Sequence, residues 1–547
     1  MQRFMFNKFY KNNQSWRFFT ALFLAVLLVV ITPATVLADS TLDDVRSLIQ
    51  EVYVEPVSEE ILGASSIEEI IKGLGDPYSN HFTIDEYMQF LDSMESRFSG
   101  IGVYIELEPR GLEVMSVIKG SPAEEVGLQS GDVIIQVGNK SLAGLSHEES
   151  VSLVRGPEGT KVELVVLRQG KSLNFTVERR SISVPTVEGN VQDGIGYISI
   201  SSFGESTDEA FGKVVKELRQ KGAKGWIIDV RNNSGGYLDS ALGLAGYFIG
   251  NETAVQTKGN SQVFEASKAI KQDILLTEPV VFLTNGYSAS ASEILAAVVK
   301  DYQKGVLVGD NTYGKGSVQS LYILPNNDVL KLTVAKFYSP YGKPIDGVGV
   351  KPDFPIMDND PVKVAQLMLM PYVDPNMSSE AIQFTASGKD WEIPLSQART
   401  PKYWSAYQEF VGNLIDSPWD VFWWEGSNWQ VYSKEEKERI WPFFYPGYKE
   451  MPELVDIPLN KTFTIKFNGG IDFSTINGQT VELIDQESGQ RVPLRYQLVG
   501  TQEVRATPID PLEESKTYWL AINKGIKGRD GSNLAQGALT IVKTRSE

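Results

Sequence analysis

The strongest fold signal lies in residues 280–302, which read VVFLTNGYSASASEILAAVVKDY. Val280–Thr284 is an apolar run of the kind found in a strand buried on both faces of a sheet. Small and polar turn residues follow, and Ala291–Tyr302 then has apolar residues at helical spacing. A buried strand that leads through a short turn into a helix predicts a layered α/β fold.

Strands and helices alternate around this stretch, from about residue 181 to residue 369. Ile195–Ile200 and Gly225–Val230 are predicted strands, and the helical pattern Asp208–Lys221 lies between them. Alternation of this kind predicts a mixed α/β core.

Ser290 lies where the predicted turn meets the predicted helix. Glu293 follows three residues later, which fits a capping box that opens a helix. The serine hydroxyl would then lie at the positive end of the helix dipole, beside unpaired backbone N–H groups. An oxyanion formed by its attack could accept a hydrogen bond from the Ala291 N–H. A serine that only caps the helix explains the same pattern.

A second element, residues 309–320, reads GDNTYGKGSVQS and nearly matches a phosphate-binding loop. It fails as one because Gly316 stands where Ser or Thr should bind magnesium, and because Ser317–Leu324 has the pattern of a strand. On a strand, Lys315, Ser317 and Gln319 would project from one face.

A lysine enclosed by apolar neighbours has a lowered pKa, and its neutral amine can accept a serine proton. Serine–lysine pairs are an established alternative to the histidine triad. Lys315 is therefore the natural candidate base, and Gln319 could hold its amine through the side-chain oxygen. A solvated turn lysine is the simpler interpretation.

Paired glycines supply a third element, in the segment DVRNNSGG at residues 229–236. Glycines after a strand let backbone N–H groups approach a ligand closely, so this loop could donate to an oxyanion. A plain turn explains the glycines equally well.

Composition narrows the chemistry further. The 547 residues carry 51 basic and 69 acidic side chains, a net charge of −18, which disfavours a nucleic-acid partner. The absence of cysteine excludes disulfides, thiolate metal sites and cysteine nucleophiles. Histidine occurs only at His81 and His147, for which surface or capping roles are expected. We expect neither a metal nor another cofactor.

The N-terminus predicts export. Four basic residues precede the apolar run Phe18–Ile31, and small residues surround Ala38. This order matches a secretory signal peptide at residues 1–38, with an uncleaved membrane anchor as the alternative. Either way, the body of the protein is predicted to lie outside the cytoplasmic membrane.

The remaining segments differ in their periodicity. We predict a helical region at 39–96, with 41–96 a candidate homodimer interface, and a β-rich module with one helix at 97–180. Residues 370–452 are rich in aromatic residues and receive no assignment. Evenly spaced strand patterns predict a β-sandwich at 453–547.

Several short motifs, taken in order, resemble the carboxy-terminal processing, or tail-specific, serine proteases. The resemblance covers residues 66–356 and is carried by LGDPYS at 74–79, FSGIGV at 98–103, GLQSGDVI at 127–134, DVRNNSGG at 229–236, SASASE at 288–293, YGKGSVQ at 313–319 and YGKPIDGVGVKPD at 341–353. Each motif is weak alone, and together they are specific. Ser234 and Asp346 depart from the commoner Pro and Gln, which affects loop details only.

The resemblance implies a role for each matching residue. Ser290 would be the nucleophile, Lys315 its base and Gln319 the orienting residue. The N–H groups of Gly236 and Ala291 would form the oxyanion hole.

The same resemblance implies that residues 97–180 form a PDZ domain, which adds a peptide to a sheet edge and captures its terminal carboxylate. The carboxylate loop would comprise Gly100, Ile101, Gly102 and Val103. Arg168 is a candidate contact for gating of the active site by this domain. A β-module that only packs against the core is the alternative.

Residues 453–547 resemble the Ig-like domains of bacterial surface-layer proteins, which suggests cell-wall or envelope attachment. The sequence therefore predicts an exported serine endopeptidase that binds the C-terminal tails of envelope proteins and cuts them with a Ser290–Lys315 dyad. The alternatives are a catalytically idle PDZ scaffold of the envelope and an envelope amidase or esterase that uses the same dyad.

Overall fold

The computed structural model describes residues 35–94, 97–374, 380–426 and 428–546. The predicted signal peptide therefore lies almost entirely outside the described residues. Within them, none of the helices combines the length and the apolar character needed to cross a bilayer.

The N-terminal region is mainly helical and packs on the protease core. Its elements are α1 (Thr35–Val52), α2 (Glu59–Leu62), α3 (Ile67–Leu74), β1 (Asn80–Phe82) and α4 (Ile84–Met94). Val45, Ile49 and Ile70 are fully buried, and they share a core cluster with Leu330 and Leu332. Because this apolar face is already covered, a homodimer through 41–96 would need other residues, such as the exposed Ile84 and Met88 of α4.

The second module has the predicted β-rich pattern, but two helices lie between its strands where one was predicted. Its elements are β2 (Arg97–Gly100), β3 (Val103–Glu108), β4 (Gly111–Val117), α5 (Pro122–Val126), β5 (Val133–Val137), β6 (Lys140–Ser141), α6 (His147–Val154), β7 (Lys161–Arg168), β8 (Lys171–Glu178) and β9 (Arg180–Ser183). Five strands follow the order β3-β4-β5-β7-β8, so β3 is an edge strand. Ser146 and Glu149 form a complete capping box at α6.

The mixed α/β core is confirmed. Its elements are β10 (Val187–Gln192), β11 (Ile195–Ile200), α7 (Thr207–Gln220), β12 (Gly225–Asp229), α8 (Leu238–Ile249), β13 (Thr253–Gly259), β14 (Phe264–Lys268), β15 (Val280–Thr284), α9 (Ala291–Asp301), β16 (Val306–Gly309), β17 (Ser317–Ile323), β18 (Val329–Tyr338), β19 (Phe354–Pro355) and α10 (Pro361–Val373).

The central sheet of the core has the order β10-β11-β12-β15-β16-β19. Five strands of this sheet run parallel to one another: β11, β12, β15, β16 and β19. The edge strand β10 is antiparallel to β11. Val280 and Phe282 of β15 pack with the helices on one face, while Val281 and Leu283 pack on the other. Burial on both faces is why this strand is a continuous apolar run.

The aromatic-rich region without a sequence assignment forms its own layer. Its elements are β20 (Ala381–Ala386), β21 (Lys389–Pro394), α11 (Leu395–Ala398), α12 (Trp404–Ile415), β22 (Val421–Glu425), β23 (Asn428–Val431), α13 (Lys434–Lys437) and α14 (Trp441–Phe444). Trp404 and Phe444 share one core cluster with Val281 of the central sheet and Trp519 of the last module. This layer therefore joins the protease core to the C-terminal sandwich.

The last module is the predicted β-sandwich. Its strands are β24 (Lys449–Glu450), β25 (Leu454–Ile457), β26 (Phe463–Lys466), β27 (Val481–Asp485), β28 (Arg491–Val492), β29 (Leu494–Val499), β30 (Glu503–Pro508), β31 (Thr517–Ile522) and β32 (Ala538–Thr544). One sheet has the order β24-β32-β31-β27-β28, and the other has the order β26-β30-β29.

Candidate active site

The candidate site lies at the carboxyl edge of the parallel strands, where open α/β sheets usually bind ligands. Ser290 follows β15, Gly236 follows β12 and Lys315 follows β16. A cavity of about 350 Å³ is lined by the five residues that the sequence predicts for catalysis: Ser290, Lys315, Gln319, Gly236 and Ala291.

Ser290 has an unusual backbone conformation. Its φ and ψ are 56° and −113°, which is costly for a residue with a side chain, by about 1–3 kcal/mol. Gly235 makes room for it, because a Cβ at Gly235 would lie 2.7 Å from the Ser290 Cβ. Strain of this kind clusters at functional sites, where the surrounding fold can hold it.

Glu293 connects the turn at Ser290 to the loop that carries Lys315. Its side chain is fully buried, and its carboxylate accepts four hydrogen bonds. One oxygen accepts from the N–H groups of Ser290 (2.8 Å) and Lys315 (2.9 Å). The other accepts from the Thr312 hydroxyl and the Gly314 N–H, both at 2.7 Å. Burial raises the pKa of Glu293, and these donors partly offset the effect.

Glu293 of the capping box predicted at Ser290 therefore does more than cap α9. Its Glu293 half is present, but the same carboxylate also binds a loop that follows β16 in the sequence. The motif at 288–293 indicated the local bond, whereas nothing in the sequence pattern indicated the distant ones.

Lys315 is largely enclosed, and burial lowers its pKa, while the negative charges of Glu293 and Asp76 partly oppose the shift. Its Nζ lies 4.8 Å from the centre of the Tyr78 ring. Among the described residues it forms no salt bridge. Burial and a lowered pKa are properties that a lysine base needs, and the role of Lys315 as that base remains a prediction.

The predicted placement of Lys315 on a strand is wrong. It precedes β17, and a register shift separates Val318 from Gln319 within that strand. The simple alternation of side chains therefore does not apply, although Lys315, Ser317 and Gln319 all face the same cavity.

Gln319 is anchored by its amide nitrogen. The Nε2 atom donates to the Ser317 hydroxyl (2.9 Å) and to the Thr333 hydroxyl (3.3 Å). The side-chain oxygen of Gln319 remains as an acceptor. Its role in orienting the Lys315 amine remains a prediction.

A second lysine, Lys331, lines the cavity and was missed from the sequence. Burial lowers its pKa, and the positive charge of Lys315 lowers it further. Its Nζ lies over the ring of Phe90, at 4.8 Å from the centre. Lys331 lies on β18, and the pairing of β18 with β17 places it beside the site.

The glycine loop lies at the same edge, and its predicted role as an oxyanion donor remains a prediction. Gly236 is bridged to Phe203, and a Cβ at Gly236 would lie 2.3 Å from the Phe203 carbonyl oxygen. Asn232 and Asn285 exchange hydrogen bonds of 2.9 Å each, which ties this loop to the turn that leads to Ser290.

The two histidines lie elsewhere. His81 lies 3.0 Å from a carboxylate oxygen of Asp328, and His147 is the first residue of α6. Neither lines the cavity.

The loop predicted to bind a carboxylate lies at the start of the edge strand β3. Gly102 has a φ of 85°, and a Cβ there would lie 2.2 Å from Ser121. Arg168 donates to both carboxylate oxygens of the buried Asp132, at 2.6 and 2.7 Å. These bonds hold Arg168 within its own module, and its role in gating remains a prediction.

Comparison with known proteins defines the class. The profile of peptidase family S41 matches residues 194–356, a PDZ profile matches 113–168 and a bacterial Ig-like profile matches 452–542. The fold and these matches define the class as the S41 type of serine protease domain combined with a PDZ domain and an Ig-like domain.

Two similar proteins come from Bacillus subtilis (strain 168). The carboxy-terminal processing protease CtpA is 34% identical over 60% of this chain and 76% of its own length. The carboxy-terminal processing protease CtpB is 34% identical over 64% of this chain and 76% of its own length. A solved photosystem II D1 C-terminal processing protease is 23% identical over 58% of this chain and 93% of that one, with a TM-score of 0.39. The chain belongs to the carboxy-terminal processing protease family.

Proposed function

We propose that this chain is an exported serine endopeptidase that cuts peptide bonds through an acyl-enzyme at a Ser290–Lys315 dyad. One observation carries the proposal. A single oxygen of the buried Glu293 accepts from the N–H groups of both Ser290 and Lys315, and both side chains line one cavity. These bonds tie the backbone at Ser290 and the backbone at Lys315 to one carboxylate, which supports the proposed pairing of a nucleophile with a base.

The reaction begins with proton transfer. The neutral Lys315 amine accepts the Ser290 hydroxyl proton as the oxygen attacks the scissile carbonyl carbon. The N–H groups of Gly236 and Ala291 donate to the oxyanion. When the C–N bond breaks, the Lys315 ammonium returns the proton to the leaving amine. Water activated by the same amine then hydrolyses the ester on Ser290.

Substrate selection rests on the PDZ domain. An extended C-terminal tail would add to the edge strand β3, and the loop Gly100–Val103 would bind its carboxylate. Envelope proteins with accessible C-termini are the proposed substrates, and the export signal at residues 1–38 would place the enzyme outside the cytoplasmic membrane.

A peptide with a free C-terminus is expected to be cut at least about tenfold faster than the same peptide with a C-terminal amide. The amide loses charge-assisted hydrogen bonds worth about 1.5–3 kcal/mol. Initial rates at subsaturating peptide, followed by mass spectrometry, provide the measurement. Equal cleavage rates for the two peptides would contradict the proposed role of the PDZ domain. Tight binding of the free-acid peptide without cleavage would favour the idle scaffold.

The rate should rise with pH as Lys315 loses its proton. Because burial lowers the lysine pKa, the neutral and active form becomes populated below the usual range of lysine. We expect kcat/KM to increase with pH and to level off below the pH at which an ordinary lysine, with a pKa of about 10.4, loses its proton. A rate that falls steadily as the pH rises would argue against a neutral amine as the base.

A further inference from the structure

The C-terminal sandwich contains a cleft that the proposed peptidase does not use. It has a volume of about 810 Å³ and opens between the two sheets, along β26 on one side and β31 on the other. Phe463, Leu520, Ile522 and Ile526 form part of its lining and belong to the core of the sandwich. The interior of this module is thus reachable from solvent along one side.

The strand at the mouth of the cleft has a free edge. Among the described residues, β26 pairs with β30 and with no strand on its other side. Phe463 and Ile465 are the more buried residues of β26, while Thr464 and Lys466 are exposed. A free edge beside an apolar cleft is a template for another strand, since its outward backbone groups lack partners.

The cleft is also positively charged, in a chain whose net charge is −18. Its lining includes four lysines and neither aspartate nor glutamate: Lys449, Lys461, Lys466 and Lys527. Within the described residues, none of the four takes part in a salt bridge. Lys527 has an acidic group nearby, since its charge helps to lower the pKa of Asp472. The excess of positive charge around the opening favours an acidic occupant.

The apolar lining and the positive charge of the cleft together indicate what kind of molecule it would bind. A wall polymer of phosphate or uronate groups would satisfy the lysines but would leave the apolar lining uncovered. The chain's own residues 1–34 carry Arg3, Lys8, Lys11 and Arg17 and no acidic residue, so they have the wrong charge. An extended polypeptide can present apolar side chains to the cleft and acidic ones to its rim, because side chains alternate along a strand.

We propose that this cleft binds an extended acidic segment of another polypeptide, which pairs with the free edge of β26. Apolar side chains of the segment enter the cleft beside Phe463 and Ile465, and its carboxylates face Lys461 and Lys466. The site is independent of the Ser290–Lys315 chemistry, and it gives the enzyme a means of holding a protein by an internal segment rather than by its C-terminus.

The test uses the full chain with Ser290→Ala, so that a bound peptide is not cut. The probe is a fluorescein-labelled peptide, Glu-Val-Asp-Ile-Thr-Val-Glu-Phe, with a C-terminal amide that prevents capture by the PDZ domain. We expect it to bind at least about tenfold more tightly than an analogue with Gln and Asn in place of Glu and Asp. Hydrogen exchange should slow at residues 463–467 and remain unchanged in β29.

A double variant, Lys461→Glu with Lys466→Glu, is expected to weaken binding by about tenfold, since it reverses two rim charges. The matched control is Arg495→Glu, an exposed charge on β29 at the far edge of the same sheet, and it should bind as the parent does. None of the three side chains forms a salt bridge within the described residues, so the fold should tolerate all the changes.

Three results would overturn the proposal. If the neutral analogue bound as tightly as the acidic peptide, apolar contact alone would explain the binding. If polyglutamate bound as tightly as the alternating peptide, charge alone would explain it. Sedimentation could instead reveal a dimer that the Lys461→Glu, Lys466→Glu variant dissociates, which would make a second copy of the chain the occupant.

Discussion

Replacing Lys315 with methionine is expected to lower kcat by at least about a thousandfold while the protein remains folded. Methionine fills a similar volume in the cavity but has no amine to accept the Ser290 proton. Ser290→Ala should cause a comparable loss, and the double variant should be no worse than either single one, because the two groups act as one unit. The measurement is single-turnover cleavage of a tagged peptide.

Two further variants make this result specific. Lys304→Met removes an exposed lysine just after α9 and should retain the parent rate. Lys315→Arg keeps the positive charge but cannot supply a neutral base, so it should be as inactive as the methionine variant. If Lys331→Met abolished turnover while Lys315→Met kept most of it, Lys331 would be the base and the dyad would be wrong.

Glu293→Gln is expected to lower both activity and stability. The substitution turns one acceptor oxygen into an NH₂ group that faces N–H or O–H donors, and each unsatisfied buried donor costs about 1–3 kcal/mol. We expect a Tm lower by several degrees, of order 5 °C. Because Ser290 and Lys315 lose their common anchor, kcat should fall at least about a hundredfold, with a smaller change in KM.

The matched control for Glu293 is Glu209→Gln. Glu209 occupies the same third position of α7 that Glu293 occupies in α9, but its side chain is exposed. It should keep the parent Tm and rate. If Glu293→Gln lowered Tm but left kcat unchanged, Glu293 would support the fold without positioning the dyad.

Local patterns in the sequence predicted much of the core. The predicted strand Val280–Thr284 has the observed bounds of β15, because an apolar run bounded by a turn leaves little choice of register. The helix after Ser290 was predicted to within one residue of its end for a similar reason, since its apolar spacing and its capping box agree.

Contacts between distant segments could not be predicted in this way. The bonds of Glu293 to Gly314 and Lys315 depend on how the loop after β16 folds back. Gly316 shows the reason, because a Cβ there would lie 2.2 Å from the Asp346 nitrogen, and this close packing sets the loop's path. The spacing of residues along the sequence does not indicate that Gly316 and Asp346 pack so closely.

The aromatic region between the core and the sandwich was unassigned for a related reason. Its residues lack a regular period because their partners lie on several other elements. Trp404, for example, contacts Trp519 of β31 and would collide with a Cβ at Gly489. Side chains that fill space between modules follow the shapes of those modules rather than the repeat of a helix or strand.

The shared aromatic core connects the cleft of the C-terminal sandwich to the strand that leads to Ser290. Val281 lies in the strand that leads to Ser290, and Trp519 lies in the strand that borders the cleft, and both belong to one continuous packed interior. Such interiors do not deform gradually. The packed interior therefore sets the span between cleft and nucleophile, and a segment held in the proposed cleft would have to be followed by enough chain to reach Ser290 before it could be cut.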